Sequence, residues 1–138
     1  MGKRYGEKWM SRKIRLGVIG LGMGRHHARG FKNHPDAELA ALCDSDKVRL
    51  DELGNELSVA GRYATAEEMF AREKLDAVAI ATPNKFHKPL TMMALKHGCH
   101  VLCEKPMAMN AGEAREMLAA AKKAGKHLMI NFSYRFTE

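Results

Sequence analysis

Short apolar runs alternate along the chain with segments in which apolar residues recur every three or four positions. The first pattern is typical of strands that are buried on both faces, and the second of helices that cover a sheet. Their regular alternation favours a parallel sheet with helices on both sides. The runs predict six strands, the third of them very short, at residues 15–20, 38–43, 61–63, 76–82, 100–103 and 128–131.

The segments between the strands carry signals that begin and end helices. Thr65 and Glu68 form a capping box, in which a side-chain oxygen and a carboxylate satisfy free amides at a helix start. The predicted helices occupy residues 24–33, residues 47–57, a short segment after 65, a segment that Gly98 ends, and a segment from Asn110 to Gly125. The positions expected to face the core are Leu50, Leu53, Leu57, Leu90, Met93, Ala94, Ala114, Met117, Leu118 and Ala121.

The predicted fold class is α/β, a doubly wound parallel sheet of the Rossmann type with strand order 3-2-1-4-5-6. In this order the sheet reverses between strands one and four, beside Gly20. Ligands of open α/β sheets bind at such a point, in the crevice at the carboxyl ends of the strands. We therefore expect functional residues directly after the strand ends.

The formal net charge of +7 is concentrated at the amino terminus. Residues 1–15 contain six basic side chains and one acidic side chain, which leaves a net charge of only +2 for the rest of the chain. A nearly neutral body with few aromatic residues lacks the basic stripe and the stacking surfaces of nucleic-acid-binding proteins. We therefore predict no nucleic-acid partner.

The sequence gives no sign of a membrane or secreted protein. No apolar run reaches the length of a membrane span, and no apolar segment of a secretory signal follows the basic amino terminus. Cys43, Cys99 and Cys103 are odd in number and show no metal-ligand or redox spacing. Such cysteines are typical of buried residues in a reducing compartment, so we predict a cytoplasmic protein with no membrane partner and no metal site.

A glycine-rich turn follows the first predicted strand. Glycines let such a turn close tightly and let the backbone approach a pyrophosphate, which the amino end of the next helix then attracts. The turn reads G-x-G-x-G, so the third glycine of the usual dinucleotide fingerprint falls on Arg25. The candidate phosphate-binding residues are Gly20, Leu21, Gly22, Met23 and Gly24.

Asp44 ends the second strand, where an acidic residue can accept hydrogen bonds from the hydroxyls of the adenosine ribose. A carboxylate there would repel a 2′-phosphate, so Asp44 favours NAD over NADP. The alternative reading of Asp44 is a turn or helix-cap residue. S-adenosylmethionine is the competing nucleotide, but proteins that bind it usually have an acid two residues before the first glycine, where this chain has Val18.

Two later strands also end in polar residues. Thr82, Pro83 and Asn84 follow the fourth strand, and His87, taken by itself, is best interpreted as a cap or structural contact. Glu104 and Lys105 follow the fifth strand directly before Pro106. Opposite charges fixed at a strand end fit a hydroxyl acceptor and a cation in a ligand crevice, although a surface salt bridge remains the alternative.

These motifs together resemble the N-terminal half of the Gfo/Idh/MocA oxidoreductases, the family of glucose–fructose oxidoreductase and inositol dehydrogenase. The resemblance runs from Ile14 to Phe136. The motifs that carry it are, in order, VIGLGMGRHHAR, LCD, ATPNKFH, HGCHVLCEKPMA and NFSYRF.

The resemblance implies an oxidoreductase that transfers hydride between a nicotinamide cofactor and a sugar, a cyclitol or a related hydroxyl substrate. It assigns the glycine turn to the pyrophosphate and Asp44 to the adenosine ribose. It also implies that Glu104 binds the nicotinamide ribose and that Lys105 orients the substrate hydroxyl and takes part in proton transfer. Thr82, Pro83, Asn84 and His87 would line the cofactor.

The same resemblance defines the expected domain organisation. Residues 14–131 form the dinucleotide-binding domain, after a basic extension at 1–13 and before a tail at 132–138. The resemblance implies that family members continue into a second α/β domain, which supplies the substrate pocket and usually the contacts of a homo-oligomer, and we expect this chain to lack it. A stand-alone NAD-binding module without catalysis is therefore the alternative function.

Overall fold

The computed structural model describes residues 12–132, so most of the predicted basic extension and residues 133–138 of the predicted tail lie outside the described residues. Six parallel strands form one sheet in the order β3-β2-β1-β4-β5-β6, which confirms the predicted topology. The strands are β1 Ile14–Ile19, β2 Ala37–Cys43, β3 Gly61–Tyr63, β4 Ala77–Ile80, β5 His100–Glu104 and β6 Leu128–Asn131.

Five helices connect the strands and cover both faces of the sheet. They are α1 Gly24–Asn33, α2 Lys47–Glu56, α3 Ala66–Arg72, α4 His87–Lys96 and α5 Ala111–Ala124, with a 3₁₀ turn at Asn84–Phe86 leading into α4. The Thr65 hydroxyl accepts a hydrogen bond from the Glu68 amide at 3.3 Å, as expected of a capped α3. Among residues 12–132, no helix is long and apolar enough to cross a membrane.

The sheet separates two hydrophobic cores. Val18 packs with Leu42 and the leucines of α2 on one face, whereas the adjacent Ile19 packs with Cys43 and α3 on the other. Successive side chains of a strand point to opposite faces, so a strand covered on both sides needs apolar residues at every position. This requirement explains why the strands read as continuous apolar runs.

The predicted core face of α5 is wrong at one position. Met117 and Ala121 are buried, but the Leu118 side chain is 57% exposed. Adjacent helix residues are rotated by about 100° around the axis, so the narrow stripe that Met117 and Ala121 share leaves Leu118 outside the contact.

The cysteines are free and buried. Burial raises the pKa of the Cys99 thiol and of the Cys103 thiol to about 11 each. Burial, together with the nearby Asp44 carboxylate, raises the pKa of Cys43 to about 12. Thiols with such pKa values are not ionised at neutral pH, so these residues act as small apolar side chains.

Some of the basic charge near the amino terminus has a structural role. The Arg12 guanidinium donates to both carboxylate oxygens of Asp76 at 2.8 Å, and the Arg15 amide donates to the same carboxylate at 2.8 Å. These contacts, the hydrogen bond from Arg12 above all, hold the pKa of Asp76 below its usual value despite partial burial. Arg15 also pairs with Glu38 and Glu73, so these charges join β1 to the segments on either side of it.

Candidate functional site

The carboxyl ends of β1 and β4 meet at Gly20. Gly20 has a φ of +87°, and a Cβ atom built on it would lie 2.7 Å from the carbonyl carbon and oxygen of Ala81. Both the left-handed backbone and the close approach exclude a side chain. Glycine at this position therefore allows the turn after β1 to lie against the backbone that leaves β4.

Gly24 has the packing role of the third fingerprint glycine, although the usual spacing places that glycine at Arg25. A Cβ atom on Gly24 would lie 2.9 Å from Cγ1 of Val18 and 3.3 Å from Cβ of Ala81. The glycine thus brings the start of α1 against β1, which is the function of the third fingerprint glycine. Arg25 is exposed and donates to the Gly22 carbonyl at 2.7 Å. The shortened turn therefore keeps the tight packing of helix on strand.

The start of α1 is suited to an anion. The structure shows no side-chain hydrogen bond to the amides at its amino end, and its first turn contains no acidic residue. Free amides and the positive end of the helix dipole attract phosphate. The turn from Gly20 to Gly24 and the start of α1 are therefore suited to hold a pyrophosphate.

Asp44 is nearly buried and holds the glycine turn in place. Its Oδ2 accepts from the Leu21 amide at 2.8 Å, and its Oδ1 accepts from the Asp46 amide at 2.8 Å. Arg49 on α2 also donates to Oδ2, at 3.3 Å. The two readings of Asp44, turn residue and ligand-facing acid, are compatible, because the carboxylate makes these bonds and still lines a pocket.

That pocket has a volume of about 650 Å³ and lies across the carboxyl ends of β1, β2 and β4. Its size is in the range of small-molecule and cofactor sites. Six of the predicted site residues line it: Gly20, Gly22, Met23, Asp44, Thr82 and Pro83. Phe86 and Arg49 line it too, and the sequence interpretation had not assigned them.

Two of the predicted cofactor contacts are fully buried among the described residues. Leu21 has no exposed surface, because its side chain lies in the core and its amide is bonded to Asp44. His87 also has no exposed surface, and its ring nitrogens lie 2.7 Å from the Pro106 carbonyl oxygen and 2.9 Å from that of Thr82. His87 therefore joins the segments that follow β4 and β5, as the structural interpretation of this residue proposed, while Asn84 is exposed at the start of the 3₁₀ turn.

Glu104 ends β5 and takes part in a network between elements. Its Oε1 lies 2.6 Å from Nε2 of His27 on α1 and accepts from Nδ2 of Asn131 on β6 at 2.8 Å. Burial alone would raise the pKa of the Glu104 carboxyl, but the hydrogen bonds from Asn131 and His27 outweigh burial and hold it below its ordinary value. The carboxylate therefore stays ionised and acts as an acceptor.

Lys105 is exposed next to Glu104 and precedes a cis peptide bond to Pro106. No ion pair within residues 12–132 includes Lys105, because Glu104 pairs with His27 instead. The alternative of a Glu104–Lys105 surface salt bridge is therefore wrong. Within the same residues, no group of three or more side chains is placed to hold a metal ion.

His27, Arg49 and Asn131 are the interacting residues that sequence reasoning did not single out. Asn131 ends β6, so the rule that directed attention to Asp44 and Glu104 would also have identified it. His27 and Arg49 lie inside helices, where nothing in the local pattern shows that they reach a strand end. Their role depends on tertiary packing.

Comparisons with known proteins agree with this geometry. Residues 14–132 match the GFO_IDH_MocA family, described as an oxidoreductase family with an NAD-binding Rossmann fold. The match covers most of the chain, so the chain belongs to this family. It is 39% identical over 128 residues to D-glucoside 3-dehydrogenase of Escherichia coli (strain K12), covering 91% of this chain and 36% of that protein.

Two further relatives differ in the cofactor that their names give. D-xylose 1-dehydrogenase (NADP(+)) 2 of Haloferax volcanii is 37% identical over 122 residues, covering 88% of this chain and 38% of that protein. The crystal structure of scyllo-inositol dehydrogenase from Lactobacillus casei with bound cofactor NAD(H) and scyllo-inositol superimposes with a TM-score of 0.86 at 27% identity, covering 92% of this chain and 38% of that chain. The chain thus spans little more than a third of the length of these relatives.

The contact at Gly20 leads to a stability prediction. Gly20→Ala should lower the free energy of unfolding by about 2–5 kcal/mol, which combines about 1–2 kcal/mol for a left-handed alanine with about 1–3 kcal/mol for overpacking. Gly22→Ala is the matched control, because its Cβ would meet only Nη1 of Arg49, at 3.5 Å. Urea unfolding followed by circular dichroism measures both variants. Equal stability of the two would show that the Gly20–Ala81 contact does not constrain the fold.

Proposed function

We propose that this chain binds a nicotinamide dinucleotide across the carboxyl ends of its strands and serves an oxidoreductase that acts on a sugar, a cyclitol or a related hydroxyl compound. The observation that carries the proposal is the junction of the uncapped start of α1, the Gly20–Gly24 turn and Asp44 at one pocket. Phosphate, close backbone approach and ribose hydroxyls are the three requirements of a dinucleotide, and this junction meets each of them. Family membership supports the same conclusion.

The described residues divide between the two ends of such a ligand. Asp44 and Arg49 lie at the β2 side and would face the adenosine ribose, while Thr82 and Pro83 would lie along the middle. Glu104 would accept from the hydroxyls of the nicotinamide ribose, and Lys105 would hold or move a proton at the substrate hydroxyl. The cofactor, when bound, supplies the hydride chemistry.

A binding titration with Gly22→Val tests the proposal. Gly22 lies outside the left-handed region and its Cβ position is open, so valine should leave the fold intact while filling the space that the pyrophosphate needs. We expect calorimetry to detect NAD binding to the unchanged chain and none to the variant. Gly30→Val is the control, since a Cβ atom there meets nothing within 4 Å. Normal binding by Gly22→Val would exclude this turn as the phosphate site.

The relative affinity for NAD and NADP should depend on the charges of Asp44 and Arg49. We propose that NAD binds more tightly than NADP, because the Asp44 carboxylate would meet a 2′-phosphate of like charge. Arg49 opposes this effect, since its guanidinium lies at the same pocket 3.3 Å from Asp44. Arg49 should therefore keep NADP binding from being lost altogether.

Arg49→Gln should weaken NADP binding roughly 10- to 150-fold and change NAD binding little, because one charged hydrogen bond to a phosphate contributes roughly 1.5–3 kcal/mol. Asp44→Asn should change the ratio in the opposite direction. Lys47→Gln is the control: this exposed residue pairs with Asp51. Calorimetric titration with both cofactors gives the ratios, and a higher affinity of the unchanged chain for NADP would refute the preference.

A stand-alone NAD-binding module is the second candidate function. It is favoured by the exposure of Lys105, which no ion pair orients within the described residues. Positioning of substrate and catalytic group can supply roughly 7–11 kcal/mol of barrier reduction, and an unoriented lysine supplies little of it. We therefore expect the 138-residue chain to bind NAD but to oxidise polyols and sugars very slowly, as read from NADH absorbance. Rapid turnover that Lys105→Ala abolishes without changing NAD affinity would instead favour the oxidoreductase as the function of this chain itself.

We also propose a cytoplasmic location and a homo-oligomeric state for this protein. The buried, reduced cysteines are consistent with a cytoplasmic protein. A homo-oligomer is proposed on the family resemblance alone.

A further inference from the structure

The Glu104 carboxylate is held from two sides by elements that are far apart in the sequence. His27 reaches it from α1 and Asn131 from β6, at 2.6 Å and 2.8 Å. The side chains of His27 and Glu104 are only 17% and 20% exposed, so this contact is largely shielded from water. Hydrogen bonds to an ionised group are shorter and stronger than those between neutral groups.

The direction of these bonds follows from the charge of Glu104. An ionised carboxylate can only accept, so Nε2 of His27 and Nδ2 of Asn131 must both donate. Both donors reach the same oxygen, Oε1. The pair therefore orients the whole carboxylate, and in the proposed site Oε2 is the oxygen that would accept from a ligand hydroxyl.

His27 is itself held in place. Its ring stacks on Phe31 one turn later in α1, with 6.2 Å between ring centroids. The start of α1 is set in turn by the contact of Gly24 with Val18. Helix α1 therefore helps to fix the position of the Glu104 carboxylate through His27. The amino end of the same helix would face the pyrophosphate.

We propose that His27 is a positioning residue, which orients the Glu104 carboxylate towards the nicotinamide ribose and so joins the phosphate-binding helix to the nicotinamide end of the site. This inference rests on the proposed function. In this inference His27 does not contact the ligand. It acts on ligand binding only through Glu104. Loss of His27 should then affect only the part of the ligand that Glu104 contacts.

Paired titrations with NADH and ADP test this. ADP carries the adenosine and both phosphates but lacks the second ribose and the nicotinamide. His27→Ala should weaken NADH binding about tenfold, the value of a typical lost charged hydrogen bond, and leave ADP binding within about twofold. His27→Gln should recover part of the NADH affinity, because its amide can still donate. His26→Ala is the matched control, an exposed histidine at the preceding position of α1.

The double variant His27→Ala with Glu104→Ala shows whether the effect passes through Glu104, because alanine leaves no acceptor for His27 to orient. In that background the loss of His27 should cost no further NADH affinity, whereas additive losses would overturn the inference. Equal weakening of NADH and ADP by both His27→Ala and His27→Gln would also overturn it, since it would show a general effect on α1. Unchanged NADH binding by both His27→Ala and His27→Gln would overturn the inference as well. If the unchanged chain binds neither ligand, the proposed function itself fails.

Discussion

The fold and the site both depend on the close approach of Gly20 to the backbone of Ala81. At this point the chain leaves β1 and turns away from β4, and a Cβ atom on Gly20 would overlap the Ala81 carbonyl. The amide of Gly20 still bonds to the carbonyl of Cys43 at 2.9 Å, so the turn remains attached to β2 as well. Gly20 thus lies at the ends of three adjacent strands. Ligands of such sheets bind in the crevice at this point.

Asp44 shows how closely stability and ligand binding are linked at this junction. Asp44 is only 9% exposed, and its carboxylate accepts from the Leu21 and Asp46 amides, so removing the carboxylate would leave the buried Leu21 amide unsatisfied. Asp44 also lines the pocket, and in the proposed function its carboxylate would affect the choice between NAD and NADP. A change of cofactor preference at Asp44 therefore carries a stability cost. Substitution of Arg49 should cost less stability, because its side chain is 45% exposed and its contact with Asp44 is longer.

The sequence predicted the strands, their order and the glycine turn because each depends on a local rule: burial on both faces, right-handed crossover, and positive φ. Sequence patterns did not reveal the roles that depend on contacts between residues far apart in the chain. The third position of the usual fingerprint falls on Arg25, and only the packing of α1 on β1 shows that Gly24 takes the role of that glycine. The residues by themselves indicated a structural role for His87, which agrees with its contacts to the carbonyls of Thr82 and Pro106; only the family resemblance had placed it at the cofactor. His27 and Glu104 are separated by 77 positions, and no local pattern indicates that they meet.

Glu104 and Lys105 are adjacent in the sequence, yet the fold treats them differently. Glu104 is held by donors from α1 and β6, which fixes one oxygen and orients the other before any ligand arrives. Preorganisation of this kind reduces the entropy lost on binding. Lys105 is exposed and makes no ion pair within residues 12–132, so its flexible side chain would have to be ordered when a substrate binds. In the proposed function, these contacts would organise recognition of the cofactor, whereas the position of Lys105 in a reaction would have to be set by the substrate and by the groups that contact it.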